Sequence, residues 1–227
     1  MGALSHLPVI HCATHDSFAE GQNGPTHQPV EVDSLYRAMP NLTYIRPCDA
    51  EETIGAWILA MSKRTGPTML SLGRDAIGDV PGTDRFKVAK GAYVIVEAEN
   101  AQLTLASCGT NMRYTVAAAE SLTRSGVRTR VVSAPSFEHF DKQEHSYQAS
   151  VFPRDGTPVV SVEEYIATTW ARYTTASIGM TGYGYSASNP SNYDRFELDA
   201  KGIEKRVRKY LEDLNGGNAR MAGWRQL

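Results

Sequence analysis

Short apolar runs alternate with longer apolar stripes along this chain, and the alternation is the first clue to its architecture. Pro8 to Ala13 is an apolar run that stops at Thr14-His15-Asp16-Ser17. Polar, glycine-rich sequence follows as far as Gln28, so a strand feeding a loop is expected there. A short helix over Val32 to Ala38 ends near Pro40, and Leu42 to Arg46 reads as a second strand closed by Pro47. Asp49 can cap the next helix with Glu52 three residues on, while Ile54, Trp57, Ile58 and Met61 recur at helical spacing and predict one buried stripe. Thr68 to Leu72 is a third strand-like run, ending at Gly73-Arg74. Strands separated by helices on this spacing predict parallel pairing with crossover helices.

Residues 75 to 90 are rich in Gly, Asp and Pro with little periodicity, which marks a boundary. The expected organisation is a first unit over 1–80, a linker over 81–90, a second unit over 91–215 and a tail over 216–227. The second unit is predicted to be α/β again. Its strands fall near Tyr93 to Glu97, Leu103 to Ser107, Arg128 to Val132 and Pro158 to Val162, with a helix from Met112 to Arg124 ended by Gly126. A further helix is predicted from Glu164 to Ser177, with Ile166, Trp170 and Tyr173 on one face, followed by a polar surface loop from Gly179 to Tyr193. Asp199 can cap a final helix whose stripe is Ile203, Val207, Tyr210, Leu211 and Leu214, stopped by Gly216-Gly217. Trp224 in the tail has no evident core around it, so a contact with another subunit is expected there.

Composition narrows the function classes. A 41% hydrophobic content suits a chain with a real core. The 23 basic residues nearly balance 25 acidic ones, with no long basic block to neutralise a phosphate backbone, which argues against nucleic acid. No apolar run approaches a membrane span and the N-terminus lacks a signal peptide's pattern, so a cytoplasmic protein is expected. Arg225-Gln226-Leu227 only faintly matches a peroxisomal address, because Gln226 stands where a basic residue belongs. Cys12, Cys48 and Cys108 are far apart and odd in number, which predicts reduced core thiols rather than a disulfide framework.

Candidate chemistry gathers near the N-terminus. His11, His15 and His27 lie close in sequence, and imidazoles that titrate near neutrality suit proton transfer or polar contact with a substrate. A metal site built from His11, Cys12 and His15 is the first rival, but no ligand spacing of a known metal motif supports it. His11 is expected within a strand, where packing explains it.

The segment Thr14-His15-Asp16-Ser17, with Gly21-Gln22-Asn23-Gly24-Pro25-Thr26-His27-Gln28-Pro29 after it, resembles the active-site segment of the transketolase family. The resemblance continues through Arg37-Ala38-Met39-Pro40-Asn41, Arg46-Pro47-Cys48-Asp49-Ala50, Gly66-Pro67-Thr68 and the strand ending in Arg74. It resumes at Lys90-Gly91-Ala92-Tyr93-Val94, Val131 to Ser136 and Phe140-Asp141-Lys142-Gln143, looks closest to fungal members, and covers the chain to about Leu214. The fold it implies is the last part of a parallel-sheet pyrimidine-binding domain followed by the family's C-terminal α/β domain with a mostly parallel sheet.

By the same resemblance, His27 lies beside the reacting carbons, while His15 and Arg74 reach the phosphate end of a sugar phosphate. Asn23 stands where typical members carry an aspartate that recognises a substrate hydroxyl, so an amide replaces a charge there, which is expected to alter preference among sugars. Gly73 replaces a serine and Asp75 an uncharged amide, and an anion beside Arg74 argues against a phosphate. The resemblance implies thiamine diphosphate and Mg2+ (or Ca2+) as cofactors, with the diphosphate domain, metal ligands and activating glutamate all missing from this chain. The expectation is therefore a two-component ketol transferase. A separate polypeptide would supply the diphosphate-binding domain and the first part of the pyrimidine-binding domain, in a heterotetramer. The competing expectation is a non-catalytic regulatory or scaffolding subunit derived from such an enzyme.

Overall fold

The structure, a computed structural model, describes residues 1–216 and 223–227. Its first sheet has three parallel strands, β1 (Ile10–Ala13), β2 (Thr43–Ile45) and β3 (Thr68–Ser71), in the order β1-β3-β2. Ile10 and Thr43 both lie opposite Thr68, so β3 is central and all four of its residues are buried. The helices α1 (Val32–Ala38) and α2 (Ala50–Ser62) connect the strands, as the alternation predicts.

Two expectations fail on this sheet. His11 and Cys12 are exposed, because β1 is an edge strand; only Cys48 and Cys108 are buried, although all three thiols are free. Three residues of the stripe predicted to be buried on α2 face outward, with Ile54 39%, Ile58 41% and Met61 58% exposed, while Trp57 is half-buried and packs against the core of this unit. The helix instead buries Glu52, Gly55, Ala56 and Ala60. Small residues let this face approach closely, since a Cβ on Gly55 would lie 2.3 Å from the Arg85 carbonyl oxygen. Periodicity showed an apolar face on a helix apolar almost all round, and could not show which side the neighbouring backbone covers.

The capping of α2 ties the two units together. The Asp49 side chain accepts from the Glu52 amide at 3.0 Å, and the Glu52 carboxylate accepts from the Cys48 amide at 2.9 Å. The same carboxylate accepts from the Tyr93 hydroxyl (2.7 Å) and the Ser133 hydroxyl (2.5 Å) of the second unit. Burial raises its pKa, and these hydrogen bonds oppose the rise.

The second sheet runs β4-β6-β5-β7-β8-β9, with β4 (Tyr93–Val96), β5 (Leu103–Ser107), β6 (Thr129–Ser133), β7 (Val159–Ile166), β8 (Ala176–Met180) and β9 (Arg225–Gln226). Among the described residues only β4 is antiparallel to its neighbour, so the fold is α/β with mostly parallel sheets. α3 (Met112–Arg124) and α7 (Ala200–Asn215) close one face over Leu105, Val160 and Ile178. On the other face, α4 (Phe137–Asp141) and α5 (His145–Val151) pack with Trp170 over Ala106 and Val132.

The helix predicted over Glu164 to Ser177 is absent. β7 runs through Ile166, a 3-10 turn covers Ala167–Arg172, and β8 starts at Ala176. The β-branched run Val159, Val160 and Val162 carries the strand onward, and the spacing of Trp170 and Tyr173 serves an aromatic cluster around Phe137 rather than a helix face. The loop predicted over Gly179 to Tyr193 shrinks to residues 181–188. β8 includes Gly179, and α6 (Asn189–Arg195) begins at the Ser188 cap with Pro190 in its first turn and buries Tyr193. Trp224 is not an orphan either. The tail returns to add β9 beside β8, and the Trp224 indole donates to the Ser177 hydroxyl at 2.9 Å. Gly216 caps α7 as predicted, whereas Gly217 and the tail to residue 222 lie outside the described residues.

Candidate active site

The loop after β1 is held in a sharp turn. His15 and Ser17 have φ near +63° and +61°, a region that residues with side chains enter at a cost and only when their surroundings fix them. The fixing is visible. The Asp16 amide donates to the Leu72 carbonyl at 3.1 Å, and the Ser17 amide donates to the Tyr165 hydroxyl at 3.1 Å. The buried Asp16 carboxylate accepts from Arg46 through two nitrogens, at 2.8 and 3.2 Å, and from the Ser71 hydroxyl at 3.0 Å. His15 is thereby held outward with its ring against the Thr14 hydroxyl at 2.9 Å.

Beneath the turn lies an ion network that sequence reading missed as a functional feature. Arg46, fully buried, also donates to Glu163 (3.1 Å) and Glu164 (2.8 Å). Arg37 reaches Asp33 at 2.5 Å and grips Glu163 with two nitrogens, each at 2.8 Å. The Trp170 indole donates to Glu163 (2.6 Å), and the Thr110 and Tyr193 hydroxyls to Glu164 (each 2.7 Å). Burial opposes ionisation of Glu163, yet Arg37 and Arg46 pull its pKa down to about 2. Burial pushes Asp33 up to about 7, with Arg37 opposing and Glu163 adding to the rise. Two arginines thus face four carboxylates, and Asp33 is the one whose affinity for a proton burial raises. The signal for this network was Glu163-Glu164 inside an apolar strand and Arg46 at the end of another.

After the turn, the 3-10 segment Phe18–Asn23 packs Phe18 against Tyr193 and Phe196, with ring centroids 4.9 and 5.1 Å apart. Asn23 and Arg74, one predicted from the loop and one from the end of β3, meet through Glu20. The Asn23 amide donates to the Glu20 carboxylate, and Arg74 donates to the Glu20 carbonyl at 2.8 Å. His27 stands separately, beside a recess of about 230 Å³ that Pro25, Gln28, Glu31 and Tyr183 also line. His15, Asn23, His27 and Arg74 are all exposed, and no hydrogen bond joins His15 to His27. Asp75 forms no ion pair with Arg74. Its carboxylate accepts from Asn189 at 2.6 Å, and among the described residues Arg74 forms no ion pair.

The second unit braces this loop with residues 183–189, another feature absent from the sequence reading. Gln28, buried, donates to the Gly21 carbonyl (2.5 Å) and the Tyr185 carbonyl (3.0 Å), and the Ser186 hydroxyl donates to the Gln22 carbonyl (2.5 Å). A Cβ on Gly184 would lie 1.8 Å from the side-chain oxygen of Gln28, so any larger residue would displace that amide from its bonds to Gly21 and Tyr185. Among the described residues no three His, Cys, Asp or Glu side chains converge as a metal site, and no helix is long and apolar enough to cross a membrane.

Comparison with known proteins agrees with this geometry. Residues 1–79 match the family model for the transketolase pyrimidine-binding domain, and residues 91–199 match that for the transketolase-like C-terminal domain. The chain belongs to the transketolase family. It is 37% identical to a transketolase of Kluyveromyces lactis over 216 residues, covering 95% of the chain and 32% of that protein. It is 40% identical to a dihydroxyacetone synthase of Pichia angusta, covering 93% and 30%. The chain thus spans about a third of the length of these curated relatives. A transketolase from Leishmania mexicana superposes with a TM-score of 0.88 at 42% identity over 92% of this chain and 31% of that one. A Pichia stipitis transketolase solved with sedoheptulose-7-phosphate gives 0.91 at 34% over 95% and 32%. A split-gene transketolase, described as an inactive beta4 tetramer, gives 0.75 at 23% identity over 91% and 68%, a likeness of fold.

Proposed function

We propose that this chain forms the substrate-facing part of a thiamine-diphosphate-dependent ketol transferase, which moves a two-carbon unit from a ketose to an aldehyde acceptor. The observation that carries the proposal is one rim. The loop after β1 and the end of β3, the carboxyl ends of parallel strands where α/β folds place ligands, present His15, Asn23, His27 and Arg74 outward on a braced turn. His27 would hydrogen-bond an oxygen beside the reacting carbon, and Asn23 would meet a substrate hydroxyl. Arg74 keeps most of its donors free after its single bond to the Glu20 carbonyl, and with His15 it would receive an anionic far end such as a phosphate. Asp75, whose carboxylate accepts from Asn189, leaves the Arg74 guanidinium unpaired among the described residues.

The cofactor fits only in part. The exposed His27 imidazole suits its reacting end, whereas no metal-binding group of side chains is found among the described residues, so its diphosphate and Mg2+ or Ca2+ would be held elsewhere in the assembly. When bound, thiamine diphosphate supplies the nucleophilic carbon that the amino acids lack. A separate polypeptide carrying the diphosphate-binding region would complete the site, in a heterotetramer. Two features support a covering partner: the outer edge of β1 has no strand beside it among the described residues, and Ile54, Ile58 and Met61 stand exposed on α2. Co-expression with such a polypeptide is expected to give a complex with thiamine-dependent ketol transfer. Turnover of a ketose by the purified chain alone would overturn the two-component reading, and a stable complex without transfer activity would favour a scaffold.

A further inference from the structure

We propose that Glu20 is a positioning residue: it fixes the Asn23 amide so that its nitrogen faces the protein and its carbonyl oxygen faces the open rim. Asn23 then presents an uncharged acceptor to a substrate hydroxyl, with one amide hydrogen tied to Glu20 and the second as its remaining donor. The use of that acceptor rests on the transferase reading; the orientation itself does not.

The geometry begins with burial. Glu20 is 3% exposed within the 3-10 segment Phe18–Asn23, whereas Asn23, three residues on, is exposed. One carboxylate oxygen of Glu20, Oε1, accepts from the Asn23 Nδ2 group. The other, Oε2, is buried and has no hydrogen-bond partner among the described residues. The Asn23 amide is therefore the one side-chain donor that serves this carboxylate among those residues. A side-chain amide carries its donors on nitrogen and its acceptor on oxygen, and a carboxylate only accepts. Turning the amide over would set two acceptor oxygens against each other and leave the buried carboxylate without a donor, so one orientation dominates.

Two consequences follow for specificity. A hydroxyl that donates to Asn23 meets its carbonyl oxygen, whereas a substrate group that can only accept is left the second amide hydrogen alone. The rim also stays free of negative charge at position 23, beside Arg74, which is held by the carbonyl oxygen of the same Glu20. An aspartate in place of Asn23 would put two carboxylates in contact, where like charges repel. Glu20 thus serves both candidate substrate contacts, its side chain orienting Asn23 and its backbone orienting Arg74. The substrate class is a polyhydroxylated aldehyde or ketose whose hydroxyl donates at this point and whose far end can be anionic.

The test is titration by NMR of the full chain carrying Asn23→Asp, alone and combined with Glu20→Gln. In the single variant the introduced carboxyl is expected to titrate above its usual ~4, and to return to ~4 in the double variant. A value near 4 in both would overturn the proposal, because a side chain lacking the Glu20 contact would show no such dependence. A second measurement covers the case in which the Asn23→Asp variant does not fold. In the native chain the Asn23 amide proton bonded to Glu20 is expected to exchange about 10-fold more slowly with solvent than in Glu20→Met, which has no acceptor oxygen, and equal rates would overturn the proposal. Neither readout needs turnover. If the assembled complex shows no ketol transfer at all, the functional reading fails while Glu20 is still decided. If transfer is present, Glu20→Gln should raise KM for a hydroxylated acceptor with little change in kcat.

Discussion

Arg46 and Asp16 meet through two hydrogen bonds, at 2.8 and 3.2 Å, with neither side chain more than 3% exposed. Asp16 lies between the two residues whose backbones take positive φ, so this pair holds the strained turn that carries His15. Replacing Arg46 by Met would leave Asp16, Glu163 and Glu164 buried without their shared cation. The expected cost is about 3 to 5 kcal/mol in urea unfolding, with the His15 turn loosened. A loss below about 1 kcal/mol would show that the network does not support the turn.

Asp33 gives the network a pH signature. Its pKa rises from an ordinary 3.8 to about 7 in the folded chain. Below about pH 4 the group is protonated in both states and folding carries no penalty from it. Between pH 4 and 7 the unfolded chain ionises while the folded one does not, so this group's contribution to stability falls as pH rises, by at most about 1.4 kcal/mol per pH unit, and levels off above 7. Asp33→Asn is expected to remove that slope. Identical pH profiles of stability for native and variant chains would contradict the assignment. Glu163 acts in the opposite sense: its depressed pKa stabilises the fold above about pH 4.5, an effect lost as the pH falls towards 2.

Gly184 should tolerate no side chain. Gly184→Ala would drive a methyl group into the Gln28 amide, and the expected result is a loss of about 1 to 3 kcal/mol together with release of the His27 loop from its brace. Proteolysis within residues 21–28 should become faster in the variant. An unchanged cleavage rate would show that the contact is not maintained.

The outward face of α2 should matter for assembly rather than for folding. Ile58→Lys is expected to change stability by less than about 0.5 kcal/mol, since the residue is 41% exposed, yet to weaken capture of the partner polypeptide at least 10-fold. Undiminished capture, measured by sedimentation of the mixed chains, would place the partner on another face.

Much of this was legible in the order of the elements. The strand ends at Ala13 and Ser71 and the Asp49–Glu52 capping pair follow from local chemistry, and so does the turn before Phe18. What was not legible depends on neighbours far away in sequence. Ile54, Ile58 and Met61 form a good helical stripe, but whether it is covered depends on the backbone near Arg85 lying against Gly55 instead. Trp170 and Tyr173 keep helical spacing, yet Thr175 and Val159 bond as neighbouring strands and override it. Trp224 is isolated in sequence and finds its partner, Ser177, only because β9 pairs with β8. The resemblance pointed to His15, Asn23, His27 and Arg74, whereas Glu20 and the bracing loop at 183–189 came into view only when their hydrogen bonds were seen.

The central claim is that the rim carrying His27 faces the chemistry of a site completed by another polypeptide. It is tested most directly by His27→Ala in the reconstituted complex, with assembly followed by sedimentation and transfer from a ketose to an aldehyde followed in the presence of thiamine diphosphate. The account predicts intact assembly and a fall in kcat of about 100-fold or more. Intact assembly with unchanged turnover would contradict it.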